Sequence, residues 1–185
     1  MRRLILITAL YCFILAVVLV RPLTNSNAAR PYAPPDKATT LCEKNEKVIF
    51  SCGMQKSAKT LSLCGSKELD KEQGYVQYRF GQPGKIELEY PAERKSTQNA
   101  FSFARYTRPL VTYLALRFET NGYKYSIHED DVEDIKPPDI SSYINITPPG
   151  KEAIEMKCRQ PTTGSLMTLE DVVPTDEGDT PPTEP

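Results

Sequence analysis

The residues able to do chemistry are few. His128 is the sole histidine, and Glu129, Asp130, Asp131, Glu133 and Asp134 follow it closely. An imidazole beside carboxylates could act as a base, but nucleophilic catalysis also needs a positioned nucleophile. The chain contains no G-x-S-x-G elbow, H-E-x-x-H pair or phosphate loop. A carboxylate pair for glycoside hydrolysis need not be adjacent in sequence, yet so small a body leaves little room for a deep substrate cleft. A calcium loop wants oxygen ligands at alternating positions and a glycine at its sharp turn. Here Val132 and Ile135 interrupt the acids and no glycine follows. No catalytic residue, metal or cofactor is therefore expected. His128 is expected on the exposed face of a hairpin end. The acids Glu129, Asp130, Asp131, Glu133 and Asp134 are expected to form an exposed loop, either simply solvated or a docking surface for a basic partner.

The other reactive side chains are five cysteines. Cys12 lies in an apolar run from Leu4 to Val20 that follows Met1-Arg2-Arg3 and leads to Ala28-Ala29. Basic, apolar, then small residues is the order of a secretory signal peptide, here residues 1–28. The alternative is an uncleaved anchor, for which the run is short. Either way the remainder lies outside the cytoplasm, in the periplasm or secreted, and touches a membrane only through this segment. Cys42, Cys52, Cys64 and Cys158 remain, an even number in an oxidising compartment, and read as two disulfides. Zinc would need closer pairs and more histidine. Alternate residues of a strand share a face. Cys52 then sides with Val48 and Phe50, and Cys158 with Ile154 and Met156, whereas Cys64 sides with Thr60 and Ser62. That parity pairs Cys52 with Cys158 and Cys42 with Cys64.

Residues 29–38 are proline-rich and read as a linker, residues 39–160 as a β domain, and residues 161–185 as a disordered acidic Thr/Pro tail. Leu166 to Val173 could form one turn of helix, but a solvated tail is the expectation. Formal net charge is −1, and no Lys/Arg cluster is interleaved with aromatics, so a nucleic-acid partner is excluded.

The body alternates with period two. Val76, Tyr78 and Phe80 lead through Gly81-Gln82-Pro83-Gly84 to Ile86, Leu88 and Tyr90. A five-residue loop would set Phe80 opposite Ile86 and Tyr78 opposite Leu88, with Arg79 facing Glu87 on the wet side. Leu114, Leu116 and Phe118 lead to Asn121-Gly122, the residues suited to a type I′ turn. The return strand, Tyr123 to His128, then pairs Phe118 with Tyr125, Leu116 with Ile127 and Glu119 with Lys124. The two hairpins resemble each other at an offset of 38 residues, too few copies for a repeat architecture. Further strands are expected at Lys47–Cys52, Lys59–Cys64, Ala100–Tyr106, Tyr143–Ile146 and Glu152–Cys158. The expected fold is all-β, an antiparallel hairpin-built sandwich or small barrel with two disulfides.

The motif C-x9-C, then K-x-x-S-x-C, then G-Y-x-Q-Y-R-F-G-x-P-G-K-x-E-L-x-Y-P spans Leu41 to Pro91. It resembles a group of small secreted bacterial proteins without an assigned activity. Leu116-Arg117-Phe118, Asn121-Gly122-Tyr123 and Cys158 fit the same pattern more loosely. Arg108 to Thr112 and the Thr/Pro tail depart from it. The resemblance implies an all-β envelope protein. The expected function is a non-catalytic exported module that binds another protein, as an inhibitor or immunity factor against a basic secreted toxin or lytic enzyme. The alternative is a structural or surface-associated envelope protein.

Overall fold

A computed structural model describes residues 40–176. The expected signal peptide and linker, and the end of the acidic tail, lie outside the described residues. Among the described residues, ten strands form two five-stranded antiparallel sheets. The first contains β1 (Lys47–Gly53), β2 (Thr60–Gly65), β3 (Val76–Gln82) and β4 (Lys85–Tyr90), with β10 (Thr163–Gly164) added beside β1. The second runs β5 (Ser102–Arg108), β6 (Val111–Thr120), β7 (Tyr123–Val132), β8 (Asp139–Thr147) and β9 (Ile154–Lys157) in order. All-β architecture and both disulfides, Cys42–Cys64 and Cys52–Cys158, are as the alternation and cysteine parity predict. Two disulfides are consistent with an oxidising, exported location.

The inward residues of the two sheets interdigitate as an aromatic and aliphatic core. Tyr78 of the first sheet meets Phe118 of the second at 4.9 Å between ring centroids, and Tyr90 stacks on Phe118 at 4.8 Å. Leu61, Leu63, Leu116, Ile127 and Ile144 are fully buried around them. Cys52 and Cys158 join the sheets at one corner, where Met54 bridges to Cys158 and the Arg159 N–H donates to Gly53 at 2.8 Å.

The β6–β7 hairpin has the expected register, with Phe118 opposite Tyr125, Leu116 opposite Ile127 and Glu119 opposite Lys124. Asn121 and Gly122 both take positive φ, 51° and 75°. The β3–β4 hairpin differs. Pro83-Gly84 makes a two-residue turn, so Gln82 pairs with Lys85, and a bulge at Phe80/Gly81 then shifts the ladder. Phe80 faces Leu88, Tyr78 faces Tyr90 and Arg79 faces Glu89. The bulge rests on Gly81, whose φ is 147° and where an added Cβ would lie 2.5 Å from the Lys85 carbonyl. Because turn and bulge together change the register by two, Phe80, Leu88 and Tyr90 keep their core-facing side. Glu87, released from Arg79, pairs with Lys59 at 2.6 Å.

A larger correction concerns the segment after Gln160. Residues 161–176 belong to the folded domain and are not a solvated tail. Thr163 and Gly164 pair with Ser51 and Phe50. Leu166 and Leu169 lie on a 3-10 turn, Leu166–Leu169, that packs against both β1 and β6, each with no exposed surface. Val173 is also buried, and Phe103 exchanges hydrogen bonds of 2.8 Å with Pro174 and Asp176 along the edge of β5. The acidic composition conceals three apolar residues spaced to fill the gap between the sheets.

Candidate functional site

The two sheets treat their outer faces differently. On β2 and β3 the outward residues are Thr60, Ser62, Cys64, Gln77 and Arg79, and all are buried. The segment from Leu41 to Glu46 covers them, held by Cys42–Cys64. Ser62 Oγ accepts from the Leu41 N–H at 3.0 Å, and Arg79 Nη1 donates to the Leu41 carbonyl at 2.9 Å. Arg79 also donates to both oxygens of Glu46, at 2.6 and 2.8 Å, and to Gln77 and Glu89. Tyr75 donates to Glu46 as well, at 2.7 Å. Arg79 was expected on the wet side; it is 2% exposed, because its cover comes from residues far upstream. Burial by itself would raise the Glu46 pKa, but hydrogen bonds from Arg79, the Glu43 N–H and Tyr75, with the Arg79 charge, bring it below the usual value.

Among the described residues, Cys42, Glu46 and Cys64 bring potential metal-ligating atoms within 4.8 Å of one another. Both sulfurs are bonded to each other and the Glu46 oxygens are occupied by Arg79 and Tyr75, so this group is committed to the fold.

On the outer face of the second sheet Tyr106 is exposed, Tyr113, His128, Asp130, Ser141 and Tyr143 are partly buried, and Val111 and Ala115 are buried. Residues of β5 to β8 that point away from the core include Tyr106, Tyr113, His128, Asp130, Ser141 and Tyr143. Their register sets them in adjoining rows. Tyr106 pairs with Tyr113, Tyr113 with Asp130, and Asp130 with Ser141. In the next row Ala115 pairs with His128 and His128 with Tyr143. The Tyr106 and Tyr113 rings stack at 6.2 Å, and the His128 and Tyr143 rings at 4.6 Å with an interplanar angle of 8°. Tyr106 is 40% exposed. One row further along, Arg117, Ser126 and Asn145 border an open recess of about 490 Å³ also lined by Phe101 and Lys124. Arg117 is ion-paired with Asp176 at 3.1 Å. The Ser126 hydroxyl is buried there without a hydrogen-bond partner.

The acid run does not form one loop. Strand β7 stays paired with β6 as far as Val132, so Glu129, Asp130 and Asp131 alternate between its faces. Glu129 accepts from Ser165 Oγ at 3.0 Å and the Leu166 N–H at 2.8 Å, capping the 3-10 turn. Asp130 lies on the outer face and accepts from the Tyr143 hydroxyl. Asp131 is exposed. Glu133 and Asp134 fall in the following connection, where Asp134 pairs with Arg108 at 2.5 Å. His128 is likewise not at a hairpin end; it sits in mid-strand, half-buried against Tyr143. The tyrosines escaped the sequence reading, although outward strand positions carrying large aromatics were a usable signal.

Burial, then the charge of Arg117, lowers the His128 pKa to about 4, so the imidazole is neutral at physiological pH. Burial, then the charges of Asp139 and Glu155, raises the Asp130 pKa to about 6, against the Tyr143 hydrogen bond. No family model, curated protein or solved structure matches this chain.

The Asp130 shift has a thermodynamic consequence. An unfolded chain releases this proton near 3.8 and the folded one near 6, so stability falls as pH rises through that window and the penalty is complete above it. Discounted for solvent screening of a half-exposed group, the penalty is about 1 kcal/mol. Asp130→Asn should therefore stabilise the protein by about 1 kcal/mol at pH 7 and by nothing near pH 4. His128 has the opposite slope, losing stability as pH drops from 6.5 to about 4, but contributes equally to both proteins. Urea titrations of native and variant protein at the two pH values check this; a variant less stable at pH 7 would contradict it.

Proposed function

We propose that this protein is exported by its N-terminal signal segment and works as a non-catalytic module that binds another protein in the bacterial envelope, as an inhibitor or immunity factor. The observation that carries the reading is the contrast between the outer faces. One is sealed by a disulfide-held segment over a satisfied polar network. The other presents stacked aromatic rings and a half-buried carboxylate. Aromatic residues are over-represented at the centres of protein interfaces, where they contribute large contact area at low entropy cost. Holding Asp130 there costs stability, which favours retention for recognition rather than for folding.

A binding role also suits the states of the titratable groups. His128 lies flat on Tyr143 and is neutral, and Glu129 is committed to capping the 3-10 turn. The preferred partner is a basic secreted toxin or lytic enzyme, since acids border this face. The test is affinity capture from envelope extracts with the native protein and with Tyr106→Ala. A basic protein retained by the first and depleted at least fivefold with the second supports the proposal. Capture of no partner by native protein turns the assignment towards a structural envelope role.

A further inference from the structure

Resting on that reading, we propose that the outer face of β5–β8 docks an arginine-bearing segment of the partner, with the guanidinium seated against Asp130 between Tyr113 and Tyr143. The ladder fixes these three side chains together. Tyr113 lies directly across from Asp130, and Tyr143 donates its hydroxyl to that carboxylate. Tyr106 extends the wall by stacking on Tyr113, and His128 backs Tyr143 from the other side.

Charge complementarity selects the occupant. The charges acting on Asp130 include those of two further acids, Asp139 and Glu155. Nearby cations already have partners: Arg108 pairs with Asp134, Lys157 with Glu155 at 3.6 Å, and Arg117 with Asp176. An incoming cation would relieve the repulsion that Asp130 bears in the free protein. A guanidinium fits best, because its plane can lie on a tyrosine face while its forked N–H groups meet a carboxylate. The same chemistry is already used internally, where Arg79 donates to both oxygens of Glu46.

The test uses the exported protein and a capped Gly-Arg repeat peptide, followed by amide NMR. A peptide with citrulline in place of arginine keeps the shape and removes the charge. The expected result is saturable shifts centred on Tyr113, Asp130, Ser141 and Tyr143 with the arginine peptide and none with citrulline. Asp130→Asn should weaken binding about tenfold, and Tyr106→Ala about threefold, while both spectra remain those of a folded protein. Shifts centred on Glu133 and Asp134, or affinity unchanged by Asp130→Asn, would overturn the site. A protein captured equally by native and Asp130→Asn forms would overturn it too, while leaving the binding-module reading intact.

Discussion

Removing the Cys52–Cys158 disulfide is expected to lower the free energy of unfolding by about 4–5 kcal/mol, nearly the whole stability of many domains of this size. The bond closes a loop of sequence separation 106, against 22 for Cys42–Cys64. Chain-entropy arguments assign the longer closure the larger effect, with about 3 kcal/mol for the shorter one. Position reinforces length. Both Cys52 and Cys158 are buried at the corner where β1 meets the chain leaving β9, and there the Gln55 N–H donates to the Lys157 carbonyl and the Arg159 N–H to the Gly53 carbonyl. Urea denaturation of Cys52→Ala/Cys158→Ala and Cys42→Ala/Cys64→Ala proteins should give the lower midpoint for the first. The reverse order would mean that the covered outer face, rather than the corner, holds the sandwich together.

The second large effect is at Arg79. Arg79→Met should cost about 4 kcal/mol, because it leaves the Glu46 carboxylate, whose side chain has no exposed surface, without the cation that hydrogen-bonds both its oxygens, and with Arg94 standing off at 3.8 Å. Losing the hydrogen bond to the Leu41 carbonyl should also loosen the covering segment. Replacing both members, Arg79→Met with Glu46→Leu, should recover at least half of the loss, since no buried charge is then stranded. A double variant no more stable than Arg79→Met would assign the cost to Gln77, Glu89 and Leu41 instead. Because Glu46 has a lowered pKa when folded, the stability gained from this network is present at neutral pH and is lost as pH falls through that lowered value.

These two features also show which parts of the fold can be read from sequence. Asn121-Gly122 dictates its own turn, and the register of Phe118 with Tyr125 follows locally. Cysteine parity sufficed for both disulfides because Cys52, Cys64 and Cys158 sit on alternating segments, which leaves Cys42 as the partner of Cys64. The β3–β4 register did not follow from loop length, because a bulge at Gly81 adds one residue that alternation cannot reveal. Arg79 looked solvated because the residues that bury it lie 33 to 38 positions upstream. The segment after Gln160 looked disordered because Leu166, Leu169 and Val173 are diluted among threonines and acids; only the gap between β1 and β6 gives them a purpose.

The candidate site was half legible. Its acidity was visible, but the partition of Glu129, Asp130 and Asp131 between faces depends on how far β7 follows β6. Tyr106, Tyr113 and Tyr143 come from three different strands, and only the sheet makes them neighbours. The motif residues Tyr75, Gln77 and Arg79, by contrast, serve the buried network around Glu46. That motif therefore describes how the first sheet is sealed and carries no information about the outer face of the second.

The most direct test of a binding role for that outer face is site-specific photocrosslinking in intact cells, with the photoreactive residue at Tyr106 or, for comparison, at Lys85. Lys85 is exposed but lies at the β3–β4 turn of the other sheet. The account predicts a discrete adduct with one basic envelope protein from position 106 and none from position 85. Adducts of equal yield from both positions, or none from position 106, would contradict it.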